Sequence, residues 1–83
     1  MTGIPEGVPT FLRFRHLLKL LGVDPLSAEE VRYVRGLLDR KVIPYRQPAP
    51  RADRLIYPGE LQRWADGAGV ALDWEGLLEE ELG

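Results

Sequence analysis

The chain of 83 residues contains no cysteine and a single histidine, His16. Neither a disulfide framework nor a zinc site made of cysteine and histidine can therefore hold the fold together. A chain of this length forms one domain and buries only about two-thirds of the surface that its unfolded state exposes. We therefore expect one small apolar core, and no bound metal or cofactor.

Two helices are predicted in the first half of the chain. Leucines and phenylalanines at helical spacing favour a helix over residues 11–22, with Thr10 as its N-cap. Residues 28–41 form the second helix, because Ser27 and Glu30 match the S-x-x-E capping box that satisfies two backbone amides at a helix start. The residues expected to share one core, drawn from these helices and a later one, are Phe14, Leu18, Leu21, Val34, Leu38, Leu61 and Trp64.

The second half combines two short extended segments with two further helices. Residues 42–45 and 54–57 are rich in β-formers and are separated by a polar segment that contains prolines, a pattern typical of a β-hairpin. A proline at the first position predicts a third helix over residues 58–66. Asp73 is placed to cap an amphipathic fourth helix that ends near residue 82. The sequence therefore predicts a mainly α-helical domain with one small β-hairpin.

The formal net charge of −2 conceals a strong division along the chain. Residues 11–57 carry ten bases and five acids, a net charge of +5, whereas residues 58–83 carry one base and seven acids, a net charge of −6. Glu6 supplies the remaining negative charge. Charges are screened over about 8 Å at physiological salt, so a partner responds to the local patch rather than to the total. The basic segment therefore favours an anionic partner such as nucleic acid.

Few side chains are suited to catalysis. Ser27 is the only serine and is explained by its capping position, while His16 has no further ligands with which to hold a metal. The glutamates at residues 79–81 would point about 100° apart on a helix, so they do not converge on one ion. No glycine loop of a phosphate-binding type is present. We therefore do not expect an enzyme.

The hydropathy pattern argues against a membrane protein. No apolar run approaches the ~18 to 20 residues that are needed to cross a bilayer. The first 20 residues do not combine a charged head with an apolar signal core. The expectation is a cytoplasmic protein without a membrane partner.

Two segments carry a specific signature: residues 37–46, LLDRKVIPYR, and residues 54–64, RLIYPGELQRW. Together they resemble the excisionase-like and MerR-type winged helix-turn-helix family. In that family the recognition helix runs into a basic residue and an Ile-Pro-aromatic-Arg strand, and the wing returns into a helix that starts with Pro-x-Glu/Asp-Leu-x-x-Trp. The resemblance covers residues 11–66.

The resemblance implies a winged helix-turn-helix domain at residues 11–66. Prolines and glycines predict a flexible N-terminal tail at residues 1–10, and the acidic C-terminal helix at residues 67–83 lies outside the usual pattern of the family. The second helix, residues 28–41, would be the recognition helix in the major groove, and the hairpin a wing on the adjacent backbone or minor groove. The implied function is that of a small DNA-binding protein in DNA recombination (excision) or transcription regulation. Its expected partners are double-stranded DNA, further copies of itself on DNA, and a recombinase or other protein contacted through the acidic helix. The residues that the resemblance places near DNA are Arg32, Tyr33, Arg35, Arg40, Arg46, Arg51 and Arg54.

The alternative function is that of a protein-protein interaction module on a winged-helix scaffold. Such a module would be an adaptor, an assembly factor or an inhibitor, with a phage as one context. It is supported by the acidic C-terminal helix, by Glu29 and Glu30 at the start of the second helix, and by the aromatic residues Tyr45 and Tyr57. The residues that this hypothesis assigns to protein binding are Trp74, Leu78, Glu79 and Leu82.

Overall fold

Four helices pack around one apolar core in the computed structural model, which describes residues 4–82 and their side chains as far as residue 80. The helices are α1 (Phe14–Leu20), α2 (Ala28–Asp39), α3 (Pro58–Ala68) and α4 (Trp74–Leu82). Residues 1–3 of the predicted tail, Gly83 and the side chain of Leu82 lie outside the described residues. Within residues 4–82, no helix combines the length and the apolar character that a membrane crossing requires.

The prediction of a β-hairpin, and with it the wing of a winged helix-turn-helix domain, is wrong: residues 4–82 contain no β-strand and no sheet. Arg46 and Leu55 form only one isolated antiparallel bridge, in which their backbones exchange two hydrogen bonds of 2.7 Å. A second isolated bridge joins Leu12 to Ile56 through hydrogen bonds of 2.7 and 2.8 Å. The described fold is therefore four helices whose connecting segments are held by single bridges.

Proline explains why the pairing of Arg46 with Leu55 does not extend into a ladder. In an antiparallel ladder the next hydrogen-bonded positions on the first segment lie two residues to either side, at Pro44 and Pro48. Neither proline has an amide hydrogen to donate, so the ladder lacks a bond at both ends of the bridge. The β-forming residues of this region therefore give one bridge in place of two strands.

Helix α1 begins three residues later than the sequence predicts. Leu12 is held by its bridge to Ile56, so the backbone becomes helical only at Phe14, with Arg13 as the N-cap. The Nδ1 atom of the buried His16 accepts a hydrogen bond of 2.9 Å from the Arg13 amide. The prediction of Thr10 as the N-cap is therefore wrong, and His16, the third residue of the helix, instead accepts the amide of the actual N-cap, Arg13.

Two predicted helix caps are confirmed at the level of single hydrogen bonds. The hydroxyl oxygen of Ser27 accepts from the Glu30 amide at 3.4 Å, while the Glu30 carboxylate accepts from the Asp24 amide at 3.2 Å rather than from Ser27. At the start of α4, Oδ1 of Asp73 accepts from the Gly76 amide at 3.1 Å. These side chains satisfy amides that a first helical turn otherwise leaves without a partner.

The predicted core is confirmed, because all seven of its residues belong to one apolar cluster. Leu18, Val34, Leu38 and Leu61 are buried, and Phe14, Leu21 and Trp64 pack against them partly buried. Further buried members, which the predicted core did not include, are Leu12, Leu17, Leu20, Ile43, Ile56, Trp74 and Leu77. Helix α4 packs against α1, and its first residues are fixed by a hydrogen bond of 3.0 Å from the Asp73 amide to the Leu20 carbonyl.

Helix α2 ends in a Schellman motif whose left-handed residue is a lysine. The amides of Lys41 and Val42 donate to the carbonyls of Leu38 and Leu37, both at 2.9 Å, and Lys41 has a φ of 58°. Glycine is the usual residue at this position, because a side chain in the left-handed conformation costs about 1 to 2 kcal/mol. The backbone at Lys41 is therefore strained.

Replacing Leu38 by alanine should lower the free energy of unfolding by ~2 to 5 kcal/mol, because it leaves a cavity where the buried side chain packs. Urea denaturation followed by circular dichroism measures the change. Leu26→Ala is the matched control: Leu26 is 91% exposed, so its truncation should change stability by less than ~0.5 kcal/mol. Equal effects of the two substitutions would contradict the assignment of the core.

Replacing Lys41 by glycine should raise the free energy of unfolding by ~1 kcal/mol, because glycine adopts the left-handed conformation without strain. The same denaturation experiment measures this gain. Arg40→Gly is the control at the neighbouring position, where φ is −86° and no strain is relieved. A loss of stability in Lys41→Gly would show that the lysine side chain stabilises the end of α2.

Candidate nucleic-acid interface

Helix α2 presents Arg32 and Tyr33 to solvent. Successive residues of an α-helix are rotated by about 100°, so these two side chains project away from the seam formed by the buried Val34 and Leu38. Tyr33 is 64% exposed, and Arg32 is exposed beside it. Two of the residues predicted to bind DNA therefore lie next to each other on an open helical face.

Arg35 and Arg40 also project from α2, and both contact the protein itself. The guanidinium carbon of Arg35 lies 5.2 Å from the ring centroid of Phe14, a cation–π contact that ties α2 to the start of α1. The Nε atom of Arg40 donates a hydrogen bond of 3.2 Å to the Gly36 carbonyl near the end of the helix. Both arginines stay exposed, so these contacts orient the side chains and leave donors for a ligand.

The loop of residues 46–55 is the second element of the candidate interface. Besides the backbone bridge at its base, the side-chain amide of Gln47 donates to the carbonyls of Pro50 and Ala52, at 3.3 and 2.9 Å. Arg51 lies between these two carbonyl residues and is exposed. The internal hydrogen bonds therefore hold Arg51 at the tip of an ordered loop.

Arg54, another residue predicted to bind DNA, connects this loop to the end of α2. One of its Nη atoms lies 2.5 Å from Oδ1 of Asp39, and its guanidinium carbon lies 5.0 Å from the ring centroid of Tyr45. Its side chain is only 29% exposed. Arg54 therefore acts chiefly within the fold, where it sets the position of the loop relative to α2.

Arg46 makes the corresponding connection to α3. One of its Nη atoms lies 2.9 Å from Oε2 of Glu60, in the first turn of that helix. Its guanidinium carbon lies 5.4 Å from the ring centroid of Tyr57, which itself lies 5.1 Å from the ring of Phe11. The two tyrosines of the alternative hypothesis, Tyr45 and Tyr57, therefore each support an arginine.

The pairing of charges determines which bases are left for a partner. Asp39 and Glu60 pair with arginines as described, and Asp53 pairs with Arg13 at 2.8 Å. The exposed bases that form no ion pair in the described part of the chain are Arg32, Arg35, Arg40, Lys41, Arg51 and Arg63. All but the last lie on α2, at its end, or in the loop of residues 46–55, so the unpaired positive charge is concentrated there.

Glu29 and Glu30 place negative charge at the opposite end of α2. Glu30 accepts the Asp24 amide and so belongs to the helix cap. Glu29 is exposed, three residues before Arg32 and four before Tyr33, so it lies one turn away on the same region of the helix. The middle and the C-terminal end of α2 are therefore better suited to an anion than its first turn.

The residues predicted to bind a protein lie on α4. Trp74 is 7% exposed, and its indole nitrogen donates a hydrogen bond of 2.6 Å to Oε1 of Gln62. Leu78 is half-buried and Glu79 is exposed, whereas the side chain of Leu82 lies outside the described part of the chain. Trp74, the largest apolar residue of this set, therefore faces the core and α3.

Lys41 and Arg63 are exposed bases that the sequence prediction left out of every site. One signal for Lys41 was present: many helices end with a left-handed residue, and residues 37–58 contain no glycine to take that position. Nothing in the sequence marked Arg63. Among the described residues, no three histidine, aspartate or glutamate side chains are grouped in a way that could hold a metal ion.

Replacing Arg54 by alanine should lower the free energy of unfolding by ~1 kcal/mol, because it removes the ion pair with Asp39 and the contact with Tyr45. Thermal unfolding at matched pH and salt measures this loss. Arg51→Ala removes the same charge from the loop tip and should change stability by less than ~0.5 kcal/mol. Indistinguishable stabilities of the two variants would contradict the structural role of Arg54.

Comparison with known proteins does not add to this description. No family model, curated protein or solved structure matches the chain. What the interface can bind therefore has to be inferred from its own charges, contacts and exposure.

Proposed function

We propose that the protein binds double-stranded DNA, with the outward face of α2 in the major groove and the loop of residues 46–55 against the neighbouring phosphate backbone. The observation that supports this proposal is the set of exposed arginines without ion pairs on these two elements: Arg32, Arg35 and Arg40 on or at the end of α2, and Arg51 in the loop. Adjacent unpaired bases attract a polyanion even when the protein as a whole is slightly acidic.

Helix α2 has suitable dimensions for reading a groove. Its 12 residues extend about 18 Å, and an α-helix fits into the major groove, which is about 12 Å wide. Arg32 can donate to O6 and N7 of a guanine at the same time, and Tyr33 beside it adds a hydroxyl and an aromatic surface. These two side chains would read the sequence.

Arg35, Arg40 and Arg51 are assigned to the phosphate backbone. The contacts of Arg35 with Phe14 and of Arg40 with the Gly36 carbonyl restrict both side chains before DNA arrives. The loop that carries Arg51 is held by its own hydrogen bonds. Side chains that are already ordered lose less conformational entropy on binding, so these contacts favour affinity.

Within the DNA-binding proteins, we propose a role in excision or in transcription regulation. The proposed interface combines base-reading and phosphate-binding side chains and includes no positioned nucleophile with a base. A small protein of this kind acts by occupying a site, by bending it, or by recruiting another protein to it.

Arg51→Ala should reduce the slope of log affinity against log salt by about one unit, because one phosphate contact fewer releases about one counterion fewer. Anisotropy titrations of a labelled duplex at several salt concentrations measure this slope. Lys19→Ala is the matched control, since Lys19 pairs with Glu80 of α4 at 3.6 Å and belongs to α1.

Glu29→Gln should raise the affinity for the duplex by up to about fivefold, because it removes a negative charge beside Arg32. The same anisotropy titrations measure this gain in affinity.

The proposal is wrong if the protein binds no duplex at low salt. It is also wrong if Lys19→Ala lowers the salt slope as much as Arg51→Ala does. Absence of duplex binding would mean that the unpaired arginines bind another anionic partner. An equal effect of Lys19→Ala would mean that DNA affinity depends on total charge and not on the position of Arg51.

A further inference from the structure

We propose that the protein binds an acidic peptide segment of a different protein, one that carries apolar side chains among its carboxylates, in a groove between α3 and the segment that follows α2. The residues that we assign to DNA do not line this groove. The proposal is therefore independent of the proposed function, and an occupied groove leaves the outward face of α2 free.

The groove lies between residues 41–47 and the first two turns of α3. Two adjoining depressions, with volumes of about 470 and 410 Å³, open there and share three residues in their walls. Glu60 and Trp64, one turn apart on α3, both line the second depression, so the groove follows the helix and suits an extended peptide. The basic groove is defined here as the surface formed by Lys41, Val42, Pro44, Arg63 and Trp64.

The floor of the basic groove is apolar. Val42 is 44% exposed, Pro44 is half-buried, and the half-buried Trp64 packs on its inner side against the core. Covering such area removes apolar surface from water, which favours an occupant with apolar side chains of its own. Aromatic residues are also enriched among those that dominate binding energy at protein interfaces.

Both walls of the groove are held by the core. Ile43, next to Val42, and Leu61, in the first turns of α3, are fully buried. The far end of the segment is fixed where the Arg46 backbone pairs with Leu55. A groove that is already formed costs less conformational entropy to fill, so even a short peptide can bind to it.

The groove has a net positive charge that the protein does not neutralise. Lys41 and Arg63 form no ion pair in the described part of the chain. Glu60 does not offset them, because Oε2 of its carboxylate is paired with Arg46 at 2.9 Å and Oε1 is buried without a hydrogen-bond partner among the described residues. Complementary charge selects partners, so an acidic occupant is favoured.

The conformation of Lys41 gives a second, independent indication that its side chain has a role. Its left-handed backbone is one in which glycine would be more stable. Residues that remain in such a conformation cluster at sites of function. The position places an ammonium group at the edge of the groove, which glycine could not do.

The combination of an apolar floor with unpaired bases favours a peptide over nucleic acid. A phosphate backbone supplies the negative charge but no apolar side chain for Val42 and Trp64. A peptide in which carboxylates flank leucine or an aromatic residue supplies both. The contact area is small, so we expect a dissociation constant near ~100 μM.

Selection from a phage-displayed library of random peptides about 12 residues long, on the full chain without DNA, tests the proposal. Multivalent display compensates for weak affinity. Enriched peptides should be acidic and contain leucine or an aromatic residue. A labelled synthetic copy of an enriched peptide should bind about tenfold more weakly in 1 M salt, where charges are screened over about 3 Å. Failure to enrich acidic peptides, or affinity that is unchanged by salt, would overturn the proposal.

Lys41→Gln with Arg63→Gln removes the two unpaired charges from the groove and should weaken peptide binding by about tenfold, with duplex affinity unchanged. A comparable loss of duplex affinity would assign the groove to DNA and overturn the proposal. The matched control, Arg32→Gln with Arg51→Gln, removes the same charge from the proposed DNA interface and should bind the peptide like the wild type. If this control binds the peptide as weakly as the groove variant does, total charge controls binding and the proposal is wrong.

Lys41→Gly separates the binding role of the lysine from its effect on stability. This variant should be more stable than the wild type and still bind the peptide several-fold more weakly, whereas a merely structural role would not produce opposite effects. Unchanged peptide affinity in Lys41→Gly would contradict the role of the ammonium group. Circular dichroism of every variant verifies that the helices are retained.

Nuclear magnetic resonance identifies the occupant of the groove. Amide resonances of Val42 and Trp64 should shift when the peptide is added to the full chain, and those of the exposed Leu26 should not. If the Val42 and Trp64 resonances shift instead when the concentration of the protein alone is raised, a second copy fills the groove and the proposal is wrong.

Discussion

The extended backbone of Leu55 and Ile56 positions most of the structure. Ile56 pairs with Leu12 on one side and thereby fixes where α1 can begin, while Leu55 pairs with Arg46 on the other side and closes the loop. The next residue, Tyr57, is already the N-cap of α3. Because the Ile56 side chain is fully buried, these polar links are formed at the surface of the core, where apolar burial supplies most of the stability. The candidate interface therefore depends on the backbone of Leu55, at the end of its loop, and on that of Ile56, which lies outside it.

Arginine has two distinct roles in this protein, and contacts rather than sequence position separate them. Arg46 and Arg54 pair with carboxylates and lie against aromatic rings, so they connect the loop to α3 and to α2. Arg32 and Arg51 form no ion pair in the described residues and project into solvent. Exposed ion pairs contribute at most about 1 kcal/mol each. The ion pairs of Arg46 and Arg54 therefore favour binding chiefly by orienting the loop of residues 46–55 relative to α2.

Features that depend on neighbouring residues were predictable from the sequence. The caps formed by Ser27 and Asp73 involve amides three residues away, and the inward seam of α2 follows from the helical repeat. The hairpin was not predictable in the same way, since the obstruction by Pro44 and Pro48 follows only once Arg46 is known to pair with Leu55.

The candidate site was predictable only in part for a similar reason. The exposure of Arg32 follows from the same repeat that buries Leu38. The partner of Arg54 is Asp39, 15 residues earlier in the chain, and helical or strand spacing does not report contacts of that length. An acidic residue that will neutralise an arginine cannot be distinguished in the sequence from one that will not, so the sequence did not reveal that Arg46 and Arg54, two of the six arginines predicted to bind DNA, are paired within the fold.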